Sequence, residues 1–306
     1  MNQAHSNNQL PLSWLEATAR QRLGALLDSG DFTELLGPGA REISPHLALF
    51  ELPPQFDDGI VIGHGQLGGQ PVFVAAQEGR FMGGAFGEVH GAKLVGLLRA
   101  AKSRHRNVVL LLDTGGVRLQ EANAGEMAIA EIMRAIVDLR CAGLAVIGLI
   151  GGKAGCFGGG GLIAGCCTRL IISEPGRIGV SGPEVIETNR GVEEFDSQDR
   201  AFTWRVMGGK HRYLIGGADD FVADDAAQFR AAAIAALSEA APLTQEVLAA
   251  EQARLAARLA RFATARDGTQ VWRALGIADP ETLPGLGTFP FLEIANAKRE
   301  NADAAR

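Results

Sequence analysis

Two glycine runs stand where strands are expected to give way to helices. One is Gly79-Arg80-Phe81-Met82-Gly83-Gly84-Ala85-Phe86-Gly87-Glu88, the other Cys156-Phe157-Gly158-Gly159-Gly160-Gly161-Leu162. Bare backbone at such a junction lets N–H groups approach an anion or a developing oxyanion, at a point where the helix dipole also favours negative charge. The bland readings are a tight strand-to-helix turn for Gly83-Gly84 and close helix packing for the second run. Four consecutive glycines are costly, at about 1 kcal/mol each relative to alanine inside a helix. An oxyanion hole is the simplest need that justifies them. Two further segments, Gly115-Gly116-Val117-Arg118-Leu119-Gln120-Glu121 and Gly182-Pro183-Glu184-Val185-Ile186-Glu187, are placed either to line a pocket or simply to cap helices.

No catalytic side-chain constellation accompanies these loops. The chain carries no H-E-x-x-H, no G-x-S-x-G, no Walker A and no paired C-x-x-C, so neither a metal site nor a nucleophile is expected. Gly63-His64-Gly65-Gln66-Leu67-Gly68 satisfies G-x-G-x-x-G, but Pro71 and a β-branched strand follow where a dinucleotide site needs a helix. A hairpin turn is the better reading. Cys166 and Cys167 read as core residues, and His90 as a solvated helix residue. Lys93 has no derivable role. Oxyanion donors without a nucleophile or metal suit a reaction whose main demand is to stabilise an enolate.

The elements that must hold these loops follow from periodicity. Apolar residues between Trp14 and Leu36 predict an amphipathic lead-in helix ended by Gly37-Pro38-Gly39. Short β-rich runs at 59–64 and 71–76 predict a hairpin with a glycine-rich connection. Then come a helix over 87–102, a strand over 108–112, a helix over 122–139, a strand over 144–150, a helix over 162–167 and a strand over 170–172. This alternation predicts an α/β core with crossover connections. Shorter helices are expected near 182–186 and 197–206, a strand near 220–222, and one or two long helices over 225–266. The expected organisation is a flexible segment at 1–12, one domain over 13–240, and a helical C-terminal arm with a loose tail over 241–306.

Composition narrows the class. The 306 residues include 40 glycines, roughly 13% against a usual level of about 7%. With 29 basic against 35 acidic residues and a formal charge of −6, no basic stripe for nucleic acid is present. The 47% hydrophobic content supports a full core. Four unevenly spaced cysteines and the lack of a leader pattern suggest a reduced, cytoplasmic setting. The apolar stretch 144–163 contains Lys153 and dense glycine, so a buried strand running into a helix is expected rather than a membrane span.

The motifs 82–93, Thr114-Gly-Gly-Val-Arg-Leu-Gln-Glu-Ala-Asn123, Gly155-Cys-Phe-Gly-Gly159 and Gly182-Pro-Glu-Val-Ile-Glu187 resemble the carboxyltransferase branch of the crotonase-like fold. Within it the chain is most similar to β subunits of biotin-independent malonate decarboxylases, a likeness that includes 193–200 and runs from about Trp14 to Ala240. The resemblance implies a ClpP/crotonase-like spiral of ββα units with a helical C-terminal arm. It implies a lyase that works with a γ subunit to convert malonyl-S-acyl-carrier-protein to acetyl-S-acyl-carrier-protein and CO2. The thioester rides on a phosphoribosyl-dephospho-coenzyme A group of the carrier protein; this chain binds no cofactor, and biotin is not expected. Motif position places the amides of Gly158 and Gly159 in an oxyanion hole, with Gly83 and Gly84 on the facing loop. Gly115, Gly116, Arg118, Gly182 and Glu184 then fall in substrate-binding positions. The nearest alternative is the carboxyltransferase β half of a biotin-dependent acyl-CoA carboxylase. Bacterial relatives of that kind often carry a four-cysteine zinc ribbon, whereas Met1 to Arg140 contains no cysteine. A non-catalytic scaffold that docks a carrier protein is the alternative from another class.

Overall fold

The structure is a computed structural model that describes residues 11–299. Its strands are β1 (Thr33–Leu35), β2 (Ile60–Leu67), β3 (Gln70–Gln77), β4 (Asn107–Leu112), β5 (Val146–Ile150), β6 (Arg169–Ser173) and β7 (Asp220–Val222), lying side by side in chain order. The first three pair antiparallel, and β3 through β7 pair parallel. Helices α1 (Ala19–Leu26) and α2 (Pro45–Leu49) precede the hairpin. The crossovers are α3 (Glu88–Arg104), α4 (Asn123–Cys141), α5 (Gly159–Cys166) and then α6 (Pro183–Arg190), α7 (Arg200–Met207) and α8 (Gly209–Leu214). After β7 come α9 (Ala226–Ala236), α10 (Gln245–Phe262), α11 (Gly268–Ala274) and α12 (Thr288–Lys298).

Both faces of the parallel sheet are buried, which explains strands that are apolar at every position. Val108, Leu110 and Leu112 of β4 point into one core with Leu98, Ile132 and Ile163 of α3, α4 and α5. Val109 and Leu111 point into the other, with Trp14, Leu23, Leu26 and Phe229 beneath α1 and α9. A second, short parallel ladder links Phe86 to Val117, Thr114 to Cys156, and Cys156 to Ile178. Each turn of the chain therefore supplies one sheet strand, one rung of this ladder and a helix, the expected spiral of ββα units. Helix α10 buries no residue completely, whereas Trp272 of α11 and Phe291 of α12 return to the main core beside Tyr213 and Phe221. The chain stays helical through Lys298 before the expected loose tail, and 300–306, like 1–10, lie outside the described residues.

Several expectations are corrected. The lead-in helix is shorter than its apolar pattern, because Thr18 forms a capping box with Gln21 and the helix ends at Leu26. The chain then turns through Gly30 at φ +76° and pairs as β1. Gly63 and Gly65 are not turn residues: they lie inside β2, where a Cβ would meet Thr33 O at 2.4 Å and Asp31 O at 2.2 Å. Only Gly68 and Gly69, both left-handed, make the hairpin turn. Helix α5 begins at Gly159, three residues before the expected start. The stretch 144–163 is β5 followed by α5, and among the described residues no helix is long and apolar enough to cross a membrane.

Candidate active site

The loops after β3, β4 and β5 meet at the carboxyl ends of their strands, where open α/β sheets place ligands. Gly115 N–H donates to Gly83 O at 2.8 Å, stitching the second loop to the first. Phe157 N–H donates to Thr114 O at 2.9 Å, and Gly116 and Gly158 lie in backbone contact. A Cβ on Gly158 would sit 3.2 Å from the Gly116 Cα. Gly83, Gly115, Gly116, Gly158 and Gly159 are thereby brought together.

Accounting for each amide divides the glycines. Gly84 N–H closes a turn onto Phe81 O, Gly116 N–H is taken by Thr114 Oγ1, and Gly160 N–H returns to Phe157 O. By contrast, the N–H groups of Gly83, Gly158 and Gly159 donate to no other group among the described residues. Gly158 and Gly159 open α5, so their orphan donors lie at the positive end of its dipole. Gly158 adopts φ +56°, ψ −130°, a conformation essentially reserved for glycine. Gly160 and Gly161 serve packing, since a Cβ would strike Thr114 Cγ2 at 2.3 Å or Gly179 O at 2.3 Å. Gly84 also packs closely, with Asp113 O 1.8 Å from where its Cβ would be.

Arg118 is not presented to a ligand. Its side chain is 1% exposed, and it donates to Asp58 Oδ2 (2.8 Å), Asp58 O (2.8 Å) and Glu121 Oε1 (2.9 Å). Glu121 in turn accepts from Glu88 N–H at the start of α3. Burial opposes ionisation of Glu121, yet the Glu88 N–H and the Arg118 guanidinium hold its carboxyl below the usual range. Gly182 caps α6 within reach of the Phe157 ring, and Glu184 is exposed on the wall of a polar cleft beyond it.

His90 is fully buried rather than solvated. Its Nδ1 faces Asp58 O at 3.1 Å and its Nε2 faces Gln77 Nε2 at 3.2 Å, a pattern that needs the neutral Nδ1–H tautomer. Burial, helped by nearby Arg118, holds its pKa down at about 3. Gln77 also donates to Gly84 O and accepts from Asp113 N–H. Lys93 is buried too, its ammonium donating to Asp57 O and Ile60 O. The Cys156 thiol is buried beside the loops, and burial pushes it well above its ordinary value, so it offers no thiolate.

Asp113 was not singled out from sequence, although it is the polar residue that closes the apolar run of β4. Its Oδ2 pairs with Arg22 at 2.9 Å and its Oδ1 accepts from Ala154 N–H at 2.8 Å. Gly79 and Gly152 leave room for this carboxylate, and burial lifts its pKa against the pull of Arg22. The residue ties the loops after β3, β4 and β5 to α1. No group of three or more His, Cys, Asp or Glu that could hold a metal occurs among the described residues.

Residues 16–251 match the carboxyl transferase domain family. The malonyl-S-ACP:biotin-protein carboxyltransferase MADC of Malonomonas rubra is 40% identical, over 95% of this chain and 97% of its own. A chain in the crystal structure of a Pseudomonas malonate decarboxylase hetero-tetramer in complex with malonate superposes with a TM-score of 0.80 at 44% identity, covering 86% of this chain and 97% of that one. The propionyl-CoA carboxylase beta chain of Saccharopolyspora erythraea is 32% identical over 67% of this chain but only 37% of its own length.

Proposed function

Because the chain belongs to the carboxyl transferase domain family, we propose that it is the β-type subunit of a malonate decarboxylase, acting on a malonyl thioester carried by an acyl carrier protein. The observation that carries this reading is the pair of uncommitted amides, Gly158 and Gly159, held beside Gly116 at the start of α5. The likeness to the Malonomonas and Pseudomonas proteins over nearly their whole lengths supports the choice of malonyl substrate.

In this mechanism the bond between the malonyl α-carbon and the carboxylate breaks, CO2 leaves, and the electron pair moves onto the thioester oxygen as an enolate. Gly158 and Gly159 N–H groups donate to that oxygen, and the dipole of α5 adds to the stabilisation. One oxyanion-hole donor typically contributes about 2.7–4 kcal/mol. Gly83, whose amide is also uncommitted, is the further donor candidate on the first loop, while Gly84 fixes its turn. Gly115 and Gly116 remain substrate neighbours because their backbone is bonded to Gly83 and packed on Gly158, and Gly182 and Glu184 remain substrate contacts at the start of α6. Arg118 acts indirectly, by holding Asp58 and Glu121 under α3.

Protonation of the α-carbon completes the reaction. His90 is not its source, since it is neutral, enclosed and engaged through both nitrogens. The proton comes from water or from a γ subunit that completes the site. A hetero-oligomer is supported by the hetero-tetrameric Pseudomonas structure.

A second reading is favoured by the name of the Malonomonas relative, which transfers the carboxyl group to a biotin protein. The enolate step is common to both, and they differ in whether CO2 is released or captured. The deciding assay supplies the chain, co-purified with its partner, with malonyl carrier protein in the presence and absence of a biotinylated acceptor. Acetyl-thioester formation without biotin supports decarboxylation, and strict dependence on biotin supports transfer. No turnover in either case contradicts both.

A further inference from the structure

A cleft of about 360 Å3 opens between α8, α10 and α11, lined by Arg212, Ile215, Leu255, Arg258, Leu259 and Phe262, and no glycine-loop residue reaches it. The Arg212 side chain makes no hydrogen bond or ion pair among the described residues. Its Nε is sealed in the protein without an acceptor, while its terminal nitrogens are not sealed and border the cleft. The charge that bears on it is that of Arg258, another cation, one of whose terminal nitrogens donates to Ile215 O at 2.8 Å. Burial, with this like charge, brings the Arg212 pKa down to about 10, which leaves it a cation at neutral pH. A guanidinium taken out of water is costly unless an opposite charge meets it. Yet Glu251 of α10 is held by Arg254 at 2.6 Å, and Asp267, which caps α11, is held by Arg205 at 2.9 Å. His211 borders the cleft without adding charge: burial keeps its pKa down at about 3, and its Nδ1 accepts from the Trp272 indole N–H at 3.2 Å. The other walls are hydrocarbon. Ile215 is buried, Leu255 and Phe262 are half-buried, and Leu259 is 71% exposed.

A cation at one end and hydrocarbon along the sides select the chemistry of the occupant. A carboxylate meets the terminal N–H groups of an arginine in fork geometry. An aliphatic chain then covers Leu255, Leu259 and Phe262, which gains from the apolar area removed from water. Phosphate or a dicarboxylate would bring a second charge against walls that offer it no donor beyond Arg258. The volume lies within the range of small-ligand pockets, about 300–1,000 Å3. We propose that this cleft is a binding site for an aliphatic monocarboxylate, with its head group on Arg212 beside Arg258 and its chain against α10. The site is separate from the thioester chemistry and does not depend on the function proposed above.

The test is isothermal titration of the full chain, alone and in its assembled complex, with hexanoate, hexanamide, acetate and inorganic phosphate. Hexanoate is expected to bind in both forms. Acetate and phosphate, which lack the chain, and hexanamide, which lacks the charge, should each bind about tenfold or more weakly. Arg212→Met removes the charge and keeps much of the side-chain volume, so without ligand it should melt at or above the parent temperature. It should nevertheless bind hexanoate about tenfold more weakly. Leu259→Glu, at an exposed position, places a competing carboxylate at the cleft and should weaken hexanoate by a similar factor. Hexanoate should raise the melting temperature of the parent more than that of either variant. The proposal would be overturned by no hexanoate binding, by unchanged affinity in Arg212→Met, or by acetate or phosphate binding as tightly as hexanoate. A sharp fall in the melting temperature of unliganded Arg212→Met would also overturn it, because the guanidinium would then already be partnered within the fold. So would hexanoate binding to the free chain that is lost in the complex, which would give the cleft to a partner subunit.

Discussion

Gly116 and Gly158 touch backbone to backbone, so closely that a Cβ on Gly158 would lie 3.2 Å from the Gly116 Cα. This contact joins the loop after β4 to the helix that opens after β5. Bulk at Gly158 would press on Gly116 and shift the start of α5 against the loop after β4. The site is thus assembled from bare main chain, with its rigidity supplied from below by Asp113, Gln77 and Arg118.

Arg118 is expected to govern stability rather than substrate affinity. Removing one partner from a buried ion pair costs about 3–5 kcal/mol, because the remaining charges stay desolvated. Arg118→Met should therefore lower the urea midpoint sharply, with KM for the malonyl thioester unchanged in the folded fraction. Asp58→Asn and Glu121→Gln in the same background should recover part of the loss. A raised KM at parental stability would return Arg118 to the substrate.

Acid sensitivity should trace to two histidines. His90 and His211 titrate near 3 when folded against an ordinary value of 6.5, burial being the main cause in both. The unfolded chain therefore binds more protons between these values, and stability falls as pH drops through that window. Each histidine adds a slope of about 1.4 kcal/mol per pH unit. In His90→Asn the slope of unfolding free energy between pH 4 and 6 should shrink by about one histidine's share. An unaltered slope would mean that His90 is not enclosed as described.

Ala122 precedes α4 at φ +44°, ψ −130°, nearly the conformation of Gly158 before α5. For a residue with a Cβ this region costs about 1–3 kcal/mol. Ala122→Gly is expected to raise the melting temperature, whereas Gly158→Ala should lower it. Equal destabilisation by both would argue against this strain.

The strand and helix alternation was legible because short, continuous β-rich apolar runs alternate with segments of helical spacing, and these match the elements that form. What sequence could not separate was glycine needed for an exposed amide from glycine needed for close approach. Gly158 through Gly161 are identical letters, yet Gly158 and Gly159 carry uncommitted donors while Gly160 and Gly161 make room for Thr114 and Gly179. Gly63 and Gly65 imitated a turn for the same reason, their true constraint being the close approach of residues 31–33, at and just before β1. His90 and Arg118 were read from their places in the motifs, but both are enclosed against Asp58, a partner distant in sequence. Asp113 escaped notice because a single aspartate after a strand looks like ordinary capping.

The central claim is that a backbone N–H at the start of α5 stabilises the enolate. Gly158 cannot accept proline at its positive φ, but Gly159 stands at the first helical position, where proline is tolerated and removes the N–H. Its ring would crowd Ile129, 2.5 Å from the Cβ position, so Ile129→Ala is introduced to make room. The measurement is kcat for malonyl-thioester decarboxylation by the assembled complex, comparing Gly159→Pro/Ile129→Ala with Ile129→Ala alone. The account predicts a fall of about 100- to 1,000-fold with assembly intact; equal turnover in the two assembled complexes would contradict it.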